Sequence, residues 1–184
     1  MSTAYIHKAA HRLIQRCHSR DPFDIARQIG INLRYINDFT ALKGMYAVIE
    51  RNRYMFINAN LRERVQRIVC AHELGHDAIP YHRELAKSAA LQEFMLYDMT
   101  TRPEYEANVF AGEILLDDNE VYSLVKDGYD IPHIAGELGT DYNLLLIKMN
   151  EMTKKGYNLR TSLDADTRFL GKIRQDDFET DDIC

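Results

Sequence analysis

No apolar run in this sequence approaches the roughly 20 residues that a membrane span requires. The N-terminus also lacks the charged start, apolar stretch and small-residue cleavage site of a secretory signal. Cysteine is scarce: Cys17, Cys70 and Cys184 are widely scattered, odd in number and form no CxxC pair. A disulfide framework is therefore not expected, and the pattern suits a reducing cytoplasm, with two thiols buried and one in the tail. The charge balance has no basic surplus. With 23 Lys and Arg against 28 Asp and Glu, the net charge is −5, which speaks against direct nucleic-acid binding. Lys8, Arg12, Arg16 and Arg20 do cluster near the start, where they read as the wet face of a helix. No repeat or linker divides the chain.

What is present is an ordinary globular composition, 46% hydrophobic and 28% charged over 184 residues. That is enough for one domain with a real core and too little for two. We assign residues 1–163 to that domain and 164–184 to an acidic, weakly docked tail. Residues 4–18 carry a helical stripe of Ile6, Ala9, Ala10, Leu13, Ile14 and Cys17. Asp21-Pro22 reads as an N-cap and first turn, opening a short helix that Gly30 stops. Asn32–Ile36, Gly44–Glu50 and Arg53–Asn58 read as strands, with Arg51-Asn52 turning a hairpin between the last two. A helix is expected from Asn60, with Glu63 as its capping-box partner, ending at Pro80. Residues 82–99 read equally as helix or as a loop over the site. Thr101-Arg102-Pro103-Glu104 is a second capping-box signature, opening a helix to about Leu116, and two or three shorter helices follow. The expected fold class is α+β: a small antiparallel or mixed sheet of about three strands, packed with helices.

Chemistry enters at His72-Glu73-Leu74-Gly75-His76, the HExxH pattern, inside the helix that continues the stripe of Val65, Ile68 and Val69. Positions i and i+4 differ by about 6 Å along the axis and about 40° around it. Two imidazoles so placed can converge on one zinc ion. Glu73, next in sequence, projects aside and can act on a water as general base. An apolar stripe that ends in two imidazoles and a carboxylate is otherwise hard to explain.

A catalytic zinc takes three protein ligands, and residues 103–113 offer Glu104, Glu106 and Glu113. Glu106 is the first choice, because Val109 and Phe110 at i+3 and i+4 place it on a buried stripe, where a carboxylate needs a partner or a metal. Glu104 has a capping role available, and Glu113 lies nearly two turns further on. Asn108 is a candidate for orienting a ligand. Tyr46, Tyr54, Tyr105, His82 and His133 are unranked candidates for stabilising an oxyanion. If strand Arg53–Ile57 lies at a sheet edge, an extended substrate could pair with it.

HELGH followed by EYEANVFAGEILL resembles the ImmA/IrrE family of metallopeptidases, as do DPFDIARQIGINLRYI, LKGMYAVIERNRYMFINANL and IPHIAGELGTDYNLLLIKMNEM. The resemblance spans roughly residues 21–160. It implies a gluzincin-like site, with His72, His76 and Glu106 on zinc and Glu73 as base. It also implies a protein substrate, a helix-turn-helix repressor of a phage or integrative element whose cleavage derepresses genes. Leu115-Leu116-Asp117-Asp118 departs from the family, which often carries proline after the paired leucines. Two rival readings remain: a zinc-stabilised interaction module without turnover, and a DNA-binding regulator. The latter rests on Ile131–Gly139 and the following helix, which resemble half of a helix-turn-helix.

Overall fold

A computed structural model describes residues 3–159, so the acidic tail and Cys184 lie outside the described residues. Among the described residues, eight helices surround a mixed sheet of four strands. The order along the chain is α1 (Ala4–Cys17), α2 (Pro22–Gln28), β1 (Asn32–Ile36), β2 (Gly44–Ile49), β3 (Asn52–Asn58), α3 (Glu63–Ala78), α4 (Pro80–Ser88), β4 (Leu91–Glu93), α5 (Arg102–Leu115), α6 (Asp118–Lys126), α7 (Ile131–Glu137) and α8 (Tyr142–Lys154). The α+β class and the three strands read from sequence are present. The fourth strand comes from the ambiguous stretch, which forms both a helix and a short strand.

The sheet runs β1-β3-β2-β4. β2 and β3 form the expected hairpin, but its turn is Glu50-Arg51, one residue earlier than Arg51-Asn52. Both turn residues have positive φ, 48° and 66°, the conformation that matches the twist of a two-residue hairpin. β1 pairs in parallel with β3, so β3 has a neighbour on each side. The expectation that a substrate could pair with β3 is overturned, because its edges are already hydrogen-bonded. The exposed edge of β2 is covered in turn by β4, through Gly44↔Glu93, Met45↔Gln92 and Tyr46↔Leu91.

α3 lies between the sheet and α5, and from Ile68 to Asp77 every residue is buried. Its start differs from the capping box expected at Asn60. The N-cap is Arg62, and Asn60 instead donates its side-chain amide to the Asn37 carbonyl at 2.7 Å. The C-terminal end is anchored by Asp77, which accepts from Tyr46 at 2.7 Å on β2 and from Arg53 at 2.9 Å on β3. Arg83 of α4 reaches the same carboxylate at 3.3 Å. A buried carboxylate is tolerated when it is paired in this way. Arg20, read as a wet residue, donates to the carbonyls of Glu113 and Ile114 at the end of α5, where a cation is favoured. Cys17 and Cys70 are free and buried. Among the described residues no helix is long and apolar enough to cross a membrane.

The segment that resembles a helix-turn-helix is α7–α8, and α8 buries Leu144, Leu145, Met149 and Met152. Lys148 on α8 is buried too, bonded to Glu113 at 2.8 Å and paired with Asp118 at 2.5 Å. Glu113 also meets Lys155 at 2.9 Å and His7 at 3.3 Å, and His7 faces Glu151 at 3.5 Å. This charged cluster ties α1, α5 and α8 together. Removing Glu113 would leave Lys148 with one partner fewer in the interior. Glu113→Ala should destabilise the fold by about 3–5 kcal/mol, read as a lower urea midpoint.

The cluster also sets a pH dependence. Burial alone would raise the carboxyls of Glu113 and Glu151, but the facing His7 imidazole and the neighbouring lysines hold them well below the usual carboxylate range. Burial would lower His7, yet the facing carboxylates of Glu113 and Glu151 raise it. The carboxylate contribution is therefore complete above their unfolded pKa of about 4.3 and is lost as pH falls through the depressed folded values. The His7 contribution is complete below its unfolded pKa of about 6.5 and is lost as pH rises through its raised folded value. Replacing His7 by Gln should flatten the decline in urea midpoint on the alkaline side of neutrality, relative to the unaltered protein.

Candidate metal centre

Two helices build the site. α3 supplies His72, Glu73 and His76, all buried to within 1% of complete. α5 crosses α3 closely enough that a Cβ on Gly75 would lie 2.9 Å from the Ala107 Cα and 3.2 Å from the Phe110 Cβ. No larger residue permits that approach, which is the physical reason for glycine within HELGH.

The approach delivers Glu104 to the two histidines. His72 Nε2 lies 3.1 Å from His76 Nε2 and 3.0 Å from Glu104 Oε2, and His76 Nε2 is 3.7 Å from Glu104 Oε1. One ligand atom from each of these three residues falls within 4.8 Å of the others. A tetrahedral zinc site with bonds of about 2.1 Å has ligand–ligand edges of about 3.4 Å, so the spacing fits. The hydrogen-bond pattern fits as well. His72 Nδ1 is 3.0 Å from Asn108 Oδ1, which can only accept, so Nδ1 donates and the Nε2 lone pair of neutral His72 faces inward. His76 Nδ1 is held at 3.2 Å by His82 Nδ1.

Glu106, the first choice from sequence, is brought elsewhere. It is buried as expected, but its carboxylate meets Arg102 at 2.6 Å and His82 Nε2 at 3.2 Å. It thus reaches His76 only through His82, orienting the imidazole that orients another. The backbone N–H of Glu104 makes its half of the capping box with Thr101 Oγ1 at 3.4 Å, while its carboxylate turns to the histidines. Glu113 sits in the charged cluster of α1, α5 and α8. A further carboxylate, Glu93 of β4, also reaches the histidines. Its Oε2 is 3.0 Å from His72 Nε2. Nothing in the sequence marks it, because β4 is three residues long and carries no periodic pattern.

Glu73 is fully buried, and neither of its carboxylate oxygens has a hydrogen-bond partner. Burial pushes its carboxyl well up, with Glu93 and Glu104 adding to the rise and His72 opposing it. Burial disfavours protonation of both histidines. Glu93 and Glu104 nevertheless raise His72 well above its ordinary value, whereas His72 and His82 help burial to hold His76 well below. Three carboxylates (Glu73, Glu93 and Glu104) thus converge on a pair of imidazoles, a donor set whose negative excess a divalent cation neutralises. Room for Glu73 is made by Gly44 at the start of β2, where a Cβ would stand 2.6 Å from Glu73 Oε1 and 2.4 Å from a Val69 methyl.

Of the oxyanion candidates, Tyr46, Tyr105 and His82 have their polar groups engaged elsewhere, whereas Tyr54 and His133 make ring contacts. Tyr46 bonds Asp77, Tyr105 bonds Glu151, His82 bridges His76 and Glu106, Tyr54 stacks on Phe56, and His133 stacks on Tyr129.

The peptidase family described as the IrrE N-terminal-like domain matches residues 26–150. The chain is also 32% identical over 143 residues to a protein of Bacillus phage phi105 named "Uncharacterized immunity region protein 2". That match covers 78% of this chain and 88% of the phage protein.

Gly75→Ala tests the helix crossing. The added methyl should destabilise the fold by about 1–3 kcal/mol through overpacking, measured by urea unfolding.

Proposed function

We propose, on the footing that this chain belongs to the IrrE N-terminal-like peptidase family, that it is a cytoplasmic zinc-dependent metallo-endopeptidase. In this reading zinc is held by His72, His76 and Glu104, and Glu73 is the general base. The carrying observation is a buried carboxylate with both oxygens unpartnered, next to two imidazoles and a second carboxylate whose ligand atoms converge. That geometry supports Glu104 as the third ligand and gives Glu106 the task of orienting His82.

A zinc ion in this position supplies Lewis-acid polarisation of a peptide carbonyl and makes a water acidic near neutral pH. The chain's own residues supply the rest. Glu73 Oε accepts a proton from the attacking water and passes it to the amine of the departing segment. Its burial without other partners keeps that oxygen available. Asn108 fixes the ring of His72, and the Glu106–His82 pair fixes that of His76.

The substrate class we assign is a helix-turn-helix repressor. This draws on the family resemblance and on the immunity-region name of the phage relative. The domain occupies residues 1–163, with the acidic tail following. Direct DNA binding is not part of this reading, since α8 spends its apolar face and Lys148 on packing.

Elemental analysis of the unaltered protein, Glu104→Ala and Glu106→Ala tests the ligand set. One zinc per chain is expected in the unaltered protein, with loss in Glu104→Ala and retention in Glu106→Ala; the reverse pattern restores Glu106 as the ligand. Incubation with a co-encoded repressor tests the mechanism. Glu73→Gln should keep its zinc and lose cleavage by about 10²–10⁴-fold, and undiminished cleavage would sink the proposed base.

A further inference from the structure

Strand β4 does two things at once. Through Gly44↔Glu93, Met45↔Gln92 and Tyr46↔Leu91 it covers the outer edge of β2, and the Glu93 carbonyl accepts from the Lys43 amide at 2.7 Å. The same pairing drives the Glu93 side chain inward, where it is 3% exposed. Its Oε2 stands 3.0 Å from His72 Nε2, the same separation as Glu104 Oε2 from that nitrogen. Its other oxygen, Oε1, is buried with no hydrogen-bond partner. A carboxylate this deep, with one oxygen at the ligand nitrogens and the other unpartnered, needs a cation. Structural zinc sites are closed by four protein ligands, whereas catalytic sites leave one position for water or substrate.

We propose that Glu93 is a fourth protein ligand of the metal, so that β4 closes the site and holds the peptidase in a latent form. This rests on the reading that His72, His76 and Glu104 hold zinc. The closure is double, because the strand also occupies the edge of β2 to which an extended peptide substrate would pair. Its release is local. β4 is only three residues long, and Phe94, Met95 and Met99 after it are half exposed, so its departure has to detach Leu91, Leu96 and Tyr97 from the core but no larger element. Asn108 couples the segment to the metal ligands, since it accepts from His72 and donates its amide to the Asp98 carbonyl at 2.8 Å. Activation then consists of withdrawing Glu93, which frees one coordination position and one strand edge together.

The test uses the full chain, unaltered and as Glu93→Gln, Glu93→Asp and Glu104→Gln. Zinc affinity is measured by chelator competition, and acetohydroxamate binding is measured by visible absorption of the cobalt-loaded protein. In Glu93→Gln, zinc affinity should fall on the order of tenfold or more. Hydroxamate should bind at least about tenfold more tightly, with a cobalt spectrum that shifts on its addition. Glu93→Asp, which keeps the charge but shortens the reach, should fall between the two. Unchanged zinc and hydroxamate affinities in Glu93→Gln, alongside metal loss in Glu104→Gln, would overturn the latch and leave the peptidase site standing. Absence of metal from the unaltered protein would overturn both. Tight hydroxamate binding by the unaltered cobalt protein would overturn the latch without recourse to any variant.

Discussion

The arrangement depends on the contact between Gly75 and Ala107. Glycine at that position lets α5 lie against α3 with almost no side chain between them, and everything at the site follows from that closeness. Glu104 reaches the Nε2 atoms of both histidines, and Asn108, one turn further along α5, reaches the outer nitrogen of His72. The sheet backs the other face of α3. Asp77 clamps the helix end to β2 and β3, while Gly44 leaves a niche for Glu73. Two glycines, on opposite sides of one helix, therefore supply the room in which buried charges can meet.

Most of the architecture was legible because it follows from short-range rules. The hairpin, the N-capped helices and the HExxH helix each carry local signals, and the structure contains them all, with shifts of a residue or two at their ends. The capping box at Asn60 failed for a tertiary reason: the Asn60 amide is taken by the Asn37 carbonyl, and the helix starts later. The convergence of His72 and His76 was readable for the same reason as the helix itself, since i and i+4 share a face.

The carboxylates were harder because burial and partner are separate questions. The periodicity of α5 correctly put Glu106 inside, but a buried carboxylate is satisfied by Arg102 and His82 as well as by a metal. Glu104 and Glu106 differ by about 200° around the helix, so the choice between them turns on how α5 crosses α3. No helical period encodes that crossing angle. Its one local trace is the glycine of HELGH. Glu93 was out of reach altogether, being delivered by the pairing of β4 with a strand nearly fifty residues earlier. His82, an oxyanion candidate by residue type, lies between His76 and Glu106 and so takes a supporting place instead.

The sheet order has a consequence for how the molecule comes into being. β1 pairs with β3, not with its sequence neighbour β2, so it must wait for a hairpin made after it. Contacts that span more of the chain form more slowly. The residues that meet at the site span still more, since α5 is made well after α3. A nascent chain that has released HELGH and β4 from the ribosome but not yet α5 has the two histidines and Glu93, without Glu104 or Asn108. The candidate metal centre is thus complete only once α5 has been made and packed against α3.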